Sequence, residues 1–115
     1  MTIEDVIQKI GEIGIIPVVR AASVDEALRA VEAVCAGGIT VVEITMTVPD
    51  APEVIRQIVL HHAGNVMTGA GTVLSAESAA RCLDAGAEFL VSPGLSVPVM
   101  RAAEARGCRA TQACQ

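Results

Sequence analysis

The chain has 115 residues, enough for one domain with a core but not for two. Hydrophobic residues make up 52% of it and aromatics only 1%, so Ala, Val, Ile and Leu must fill that core. The net charge of −5, with no basic cluster, argues against nucleic acid and against an anionic membrane surface as partners.

Thr2 to Glu12 reads as a short amphipathic helix with Ile3, Val6, Ile7 and Ile10 on one face, closed by Gly11 and Gly14. Glu4 and Asp5 spoil any signal-peptide pattern, and the longest apolar run, Ile13 to Val19, is too short to cross a bilayer. A cytoplasmic place is therefore expected, with no membrane partner. Ile15-Ile16-Pro17-Val18-Val19-Arg20 reads as the first buried strand. Pro17 lacks an amide donor and belongs near the strand's start or at an edge. Ser23-Val-Asp-Glu26 spells a capping box and opens a helix to about Ala36, which Gly37-Gly38 ends.

Val41-Val-Glu-Ile-Thr-Met-Thr47 is the second strand, dense in β-branched residues. Asp50-Ala-Pro-Glu53 repeats the cap signal ahead of a helix through Val54, Ile55, Ile58 and Val59. Gly64-Asn65 stops it. Val66 to Gly71 is the third strand with its exit turn. Ser75 caps a helix ending at Gly86, and Glu88 to Ser92 is the fourth strand. Pro93-Gly94 turns the chain, Ser96 caps a helix ending at Gly107, and a fifth strand should start at Cys108. Helix-stop glycines at Gly38, Gly64, Gly86 and Gly107 each precede an apolar run. Strands and helices thus alternate every 20–26 residues or so, the signature of a parallel α/β sheet. Runs apolar on both faces suit strands covered by helices.

Cys35, Cys82, Cys108 and Cys114 show no CxxC spacing, and only His61 and His62 could join them. Buried reduced thiols are expected rather than a zinc site or a disulfide framework.

Glu43 stands in the middle of an apolar strand. A buried carboxylate is costly unless paired or used. It is either a structural salt-bridge partner or mouth-facing polar residue, or a general acid/base held on a rigid strand. The neighbouring strand ends favour use: Arg20, then Glu43 with Thr45 and Thr47, then Thr72, then Ser92 with Pro93. In a barrel those ends share the C-terminal rim, where barrel enzymes place their chemistry. A cation, a carboxylate and hydroxyls on one rim suit a small oxo-acid. Each alone has a plainer use, as a rim salt bridge (Arg20), a turn (Thr72) or a cap (Ser92). A dinucleotide site at Gly69-Ala-Gly71 is disfavoured. The third glycine of that fingerprint would fall at Leu74, and no acidic residue ends a following strand.

Three blocks, Val41-Val-Glu-Ile-Thr-Met-Thr-Val-Pro-Asp-Ala51, Gly69-Ala-Gly-Thr-Val73 and Phe89-Leu-Val-Ser-Pro-Gly94, resemble the 2-keto-3-deoxy-6-phosphogluconate (KDPG) aldolases and the 4-hydroxy-2-oxoglutarate aldolases in order and spacing. The likeness runs nearly to Gly107. It implies a parallel (β/α) TIM-barrel fold, here its first half, with about four βα units after an N-terminal helix. It implies a class I aldolase, a lyase that forms a Schiff base on a lysine. No cofactor and no metal would be needed, the partner would be a small keto acid with a pyruvate moiety, and the assembly would be a homotrimer. By the same resemblance Glu43 is the general base that moves protons at the pyruvate carbon. Thr72 contacts the pyruvate carboxylate, and Arg20 matches an arginine found in part of the family. Other members place a substrate arginine where this chain has Thr47, so the carboxylate clamp would fall to Arg20. Ser92 and Pro93 complete the expected substrate-binding set.

The family's Schiff-base lysine falls on a later strand, outside this sequence. Class I chemistry needs an amine that adds to the ketone. The chain's one lysine, Lys9, is expected on the outer face of the first helix, away from the rim. Gly107-Cys-Arg-Ala-Thr-Gln-Ala-Cys-Gln115 also departs from the family, because Arg109 and Gln112 are odd in a buried strand. Residues 1–107 are thus read as the N-terminal half of the barrel and 108–115 as an aberrant or truncated start of strand five. A frame change after Gly107 would account for it: codons ACC CAG GCG TGC CAG for Thr111 to Gln115, read from the third base, give Pro-Gly-Val-Pro. Resequencing the locus tests that hypothesis. A half barrel would expose its first and last strands as open edges, so self-association or marginal stability is expected.

Three functions follow. The first is a KDPG-type aldolase of which this is the N-terminal part, probed by borohydride trapping with pyruvate. The second is a catalytically inactive, self-associating half-barrel. The third, a metal-dependent aldolase, is disfavoured because it would need His or carboxylate clusters that the sequence does not have.

Overall fold

Strand follows helix along the whole chain because each helix is stopped by a residue that cannot comfortably continue it. The computed structural model describes residues 2–62 and 64–112. Its elements are α1 (Ile3–Ile13), β1 (Val18–Val19), α2 (Val24–Ala36), β2 (Val41–Thr45), α3 (Ala51–His62), β3 (Met67–Gly71), α4 (Ala76–Ala85), β4 (Phe89–Ser92), α5 (Val97–Ala105) and β5 (Arg109–Gln112). The four expected stop glycines all have positive φ, from 68° at Gly107 to 110° at Gly86. At Gly86 a β-carbon would also meet Val59 of α3 at 2.9 Å, so the turn and the α3–α4 packing both require glycine there.

The five strands are all parallel, in the order β1-β2-β3-β4-β5. A doubly wound sheet reverses its strand order at a switch point. This one never does, and it is of the TIM-barrel type. One transverse row of the ladder joins Val18, Glu43, Gly69, Phe89 and Arg109. Among the described residues, β1 and β5 each have a strand neighbour on one side only.

Strand alternation gives the sheet two different faces. Val19, Val42, Ile44, Ala70 and Leu90 point to the helices and form the main core with Val31, Ile55, Ile58, Cys82 and Val99. Ile44 and Ile55 are wholly buried there, and truncating either to Ala would cost about 2–5 kcal/mol. On the other face Val41, Met67 and Phe89 pack with Val6 of α1, and Ile10, Ile13 and Ile16 lie alongside. The apolar stripe of α1 is therefore spent on the strands' N-terminal half, which leaves the C-terminal half of that face for polar groups. No helix among the described residues is long and apolar enough to cross a membrane.

Several local expectations need correction. The first strand pairs over two residues rather than six, because Pro17 can only accept: its carbonyl takes the amide of Glu43 at 2.9 Å. At α2, Ser23 Oγ accepts from the Glu26 amide at 3.1 Å, but the Glu26 carboxylate reaches the amide of Ala22 instead of closing the box on Ser23. The full box is at α1, between Thr2 and Asp5. Asp50 does not use its side chain as a cap in the way Ser23 does. It stands in the left-handed region (φ 52°), and its carbonyl accepts from Glu53 and Val54. Residues 109–112, part of the stretch read as an aberrant or truncated start of strand five, pair in parallel with β4. The remainder of that expectation, with Cys114, lies outside the described residues. Cys35, Cys82 and Cys108 are free thiols, and burial pushes Cys82 up to about 11.

Candidate active site

All five residues of β2 are buried, and the alternation that sends Val42 and Ile44 into the helix-side core sends Glu43 to the opposite face. Glu43 is 9% exposed. Its carboxyl leans across β3 onto Gly71: a β-carbon there would fall far inside 3.0 Å of Glu43 Oε2 and Cδ. Burial holds the Glu43 carboxyl above the ordinary glutamate range, while the charge of Arg20 pulls it back down. Arg20 lies two residues after Val18, the register partner of Glu43, so alternation directs it to the same face. A carboxyl whose charge is disfavoured by burial and favoured by a nearby guanidinium is a candidate to take up and give back a proton.

Thr45, the next residue on this face, sends its hydroxyl proton to the Val19 carbonyl at 3.4 Å. Thr47, exposed beyond the strand end, lies 2.6 Å away, hydroxyl to hydroxyl. The amide of Met46 donates to the carbonyl of Gly71 at 2.9 Å and fixes the two strand ends together. Thr72 follows Gly71 directly and is half-buried, with φ 57°. A β-branched residue in the left-handed region is strained, and such strain is concentrated at functional positions.

Arg20, Glu43, Thr47 and Thr72 are thus gathered around the C-terminal ends of β1, β2 and β3. Ser92 is not brought to this group. Its neighbours Phe89 and Val91 belong to the concave cluster, so parity puts Ser92 on the helix side, and its hydroxyl donates to the Gly94 carbonyl at 2.6 Å. Pro93 follows in that turn, half-buried. Lys9 departs from the expected outer face. It is half-buried, and its charge lowers the carboxyl of Glu88, which burial otherwise raises. Glu88 precedes β4, at the opposite end of the strands from the Arg20 group.

Two residues of the arrangement fall outside the substrate-binding set expected from sequence, Gly71 as the bed of Glu43 and Phe89, whose ring covers Gly69. The available signal was Gly-Ala-Gly inside a strand, which marks close approach by another group. A charged groove of about 320 Å³ between α3 and α4, lined by Asp50, Glu53, Arg56, Arg81 and Asp84, contains none of the residues selected from sequence. Among the described residues no group of three or more His, Cys, Asp or Glu could hold a metal ion.

A parallel sheet in sequential order, with a buried carboxylate leaning toward the C-terminal ends of its strands, belongs to the class of TIM-barrel-type α/β folds. Within that class, the profile of the KDPG and KHG aldolase family matches residues 6–111, and the chain belongs to this family. A KHG/KDPG aldolase of Escherichia coli K12 is 36% identical over 89 residues, covering 77% of this chain and 41% of that protein. The crystal structure of the KDPG aldolase of Zymomonas mobilis ZM4 with 3-phosphoglycerate superimposes with a TM-score of 0.82 at 31% identity, over 96% of this chain and 52% of that one. The Legionella pneumophila KDPG aldolase, with pyruvate captured as a covalent carbinolamine, superimposes with a TM-score of 0.74 at 30% identity, over 83% of this chain and 46% of that one. The chain spans about half the length of the relatives it matches.

Proposed function

We propose that this chain provides the proton-transfer and carboxylate-gripping side of a class I aldolase that cleaves 2-keto-3-deoxy-6-phosphogluconate to pyruvate and glyceraldehyde 3-phosphate. The buried Glu43, raised by desolvation and opposed by Arg20, carries this reading. In the proposed reaction an amine adds to the C2 carbonyl of the keto acid and, with uptake of a proton, loses water to give a protonated imine, the iminium. Glu43 takes the proton from the C4 hydroxyl, the C3–C4 bond breaks, and its electrons flow into the iminium. Glu43 then returns its proton to C3, and water releases pyruvate. Arg20 holds the pyruvate carboxylate as a charged pair. Thr72 adds a hydroxyl contact to it, while Thr47 and Pro93 border the substrate. Its relatives' names and the pyruvate adduct in the Legionella enzyme support the substrate class.

The amine is assigned to sequence outside this chain. Lys9, its one lysine, lies on α1 where its charge acts on Glu88, at the far end of the strands. Borohydride reduction with pyruvate, followed by intact mass, tests the division of labour. The expected result is no adduct on the 115-residue chain. Pyruvate fixed to Lys9 would overturn it.

A second reading, a catalytically inactive half-barrel that associates with itself, is favoured by the one-sided pairing of β1 and β5 among the described residues and by exposed Ile15 before β1 and Val18 within it. Light scattering separates its outcomes: concentration-dependent association supports this reading, and a monodisperse monomer with a cooperative melt removes it. The trimer implied by the family resemblance and a cytoplasmic location remain part of the first reading.

A further inference from the structure

Glu43 and Gly69 are register partners, yet the Glu43 carboxyl does not lie over Gly69. It lies over Gly71, one inward-facing position higher, about 6.6 Å along the strand. Gly69 has no side chain of its own to keep the carboxyl away. The space above it is filled from the other side: the three atoms nearest a β-carbon there are Cε2, Cζ and Cδ2 of Phe89, all inside 3.0 Å. At Gly71 the three nearest atoms all belong to Glu43. The two glycines of β3 are therefore shared out. The lower carries a ring from β4 and the upper carries a carboxyl from β2.

We propose that Phe89 is a positioning residue. By occupying the space over Gly69 it leaves Glu43 only Gly71 to rest on, and so delivers the carboxyl to the rim where Thr72 and Arg20 stand. Phe89 suits this task. It is the chain's one aromatic, it is 2% exposed, and its ring is wedged among Val6, Val41 and Met67. Those residues form the apolar layer into which a displaced carboxyl would sink. A group that moves protons at carbon must be held to within a fraction of an ångström, so an error of one inward position would disable it. The inference deepens the aldolase reading, since the delivery of Glu43 matters to catalysis only if Glu43 moves the proton.

The test is the crystal structure of Phe89→Leu in the 115-residue chain. Leucine lacks the Cε2 and Cζ carbons that cover Gly69. Phe89→Met, unbranched and closer in volume, serves the same purpose if the leucine variant does not fold. The expected result is a Glu43 carboxyl moved back over Gly69, a shift of about 6.6 Å toward the N-terminal end of the strands. A carboxyl that stays over Gly71 overturns the assignment. In solution the same shift reads as loss of coupling: Arg20→Gln raises the Glu43 titration midpoint in the parent but not in the Phe89→Leu background. An equal rise in both backgrounds also overturns it. Neither readout involves a keto acid, so a failed aldolase reading would leave the positioning result standing. Conversely, a carboxyl indifferent to Phe89 would leave Glu43 free to be the base.

Discussion

The Glu43 carboxyl occupies the volume that a β-carbon on Gly71 would need. The two residues are on neighbouring strands and are not register partners. Their contact exists because Glu43 leans upward along the sheet.

Gly71→Ala should therefore be a steric change aimed at one side chain. Overpacking of this kind costs about 1–3 kcal/mol. In the Glu43→Ala background the same substitution has nothing to strike. The coupling between the two, read from urea midpoints of the four proteins, should be at least about 0.5 kcal/mol. Equal losses in both backgrounds would show that Gly71 is required by the backbone and not by Glu43.

The pH dependence of stability has a definite sign. Burial, the larger influence, raises Glu43 above the ordinary value of 4.5, and Arg20 opposes it. The folded protein therefore holds this proton more tightly than the unfolded chain does. The stability it contributes is complete below the ordinary value and is lost as pH rises through the raised one. Glu88 adds a slope of the same sign. Glu43→Gln should flatten stability against pH across that window and gain most over the parent at neutral pH. A series of denaturant midpoints from acid to neutral pH measures this, and a steeper curve in the glutamine variant would contradict it.

Thr72 is held at φ 57°, where a β-branched side chain is strained. Thr72→Gly should release up to about 1 kcal/mol, partly offset by the greater freedom of glycine in the unfolded chain. The same variant should weaken keto-acid binding, as followed by NMR titration with pyruvate. Thr72→Ala should weaken binding without the gain in stability. A threonine retained only for the turn would give no loss of binding in either variant.

Ser23 Oγ accepts the Glu26 amide at 3.1 Å at the start of α2. Ser23→Ala should cost about 1 kcal/mol. Ser23→Asp should recover most of it, since a carboxylate can accept the same amide near the positive end of the helix. Thermal melts of the three proteins check the order.

What could be read from the sequence was whatever depends on neighbours along the chain. Gly38, Gly64, Gly86 and Gly107 marked the helix ends, and Ser23, Ser75 and Ser96 marked three helix starts, each with its hydroxyl accepting a first-turn amide. The alternating order that follows from them gave the parallel barrel-type sheet. What could not be read depends on register between strands. Sequence position groups Ser92 with Arg20 and Thr72 because all three stand at or just past strand ends, but strand parity directs the Ser92 hydroxyl elsewhere. Gly71 and Phe89 look like ordinary strand residues until β2, β3 and β4 are laid side by side. Asp50 carries a cap-like sequence, yet its left-handed backbone gives it a different task.

The sequential strand order also bears on how the protein is made. Each register pair, Val18 with Glu43, Glu43 with Gly69, Gly69 with Phe89 and Phe89 with Arg109, spans roughly 20–26 residues. Every strand can thus add to the one synthesised just before it, while the chain is still leaving the ribosome. α1 must wait: Val6 packs in the cluster that includes Phe89, so this helix docks fully only after β4 has arrived.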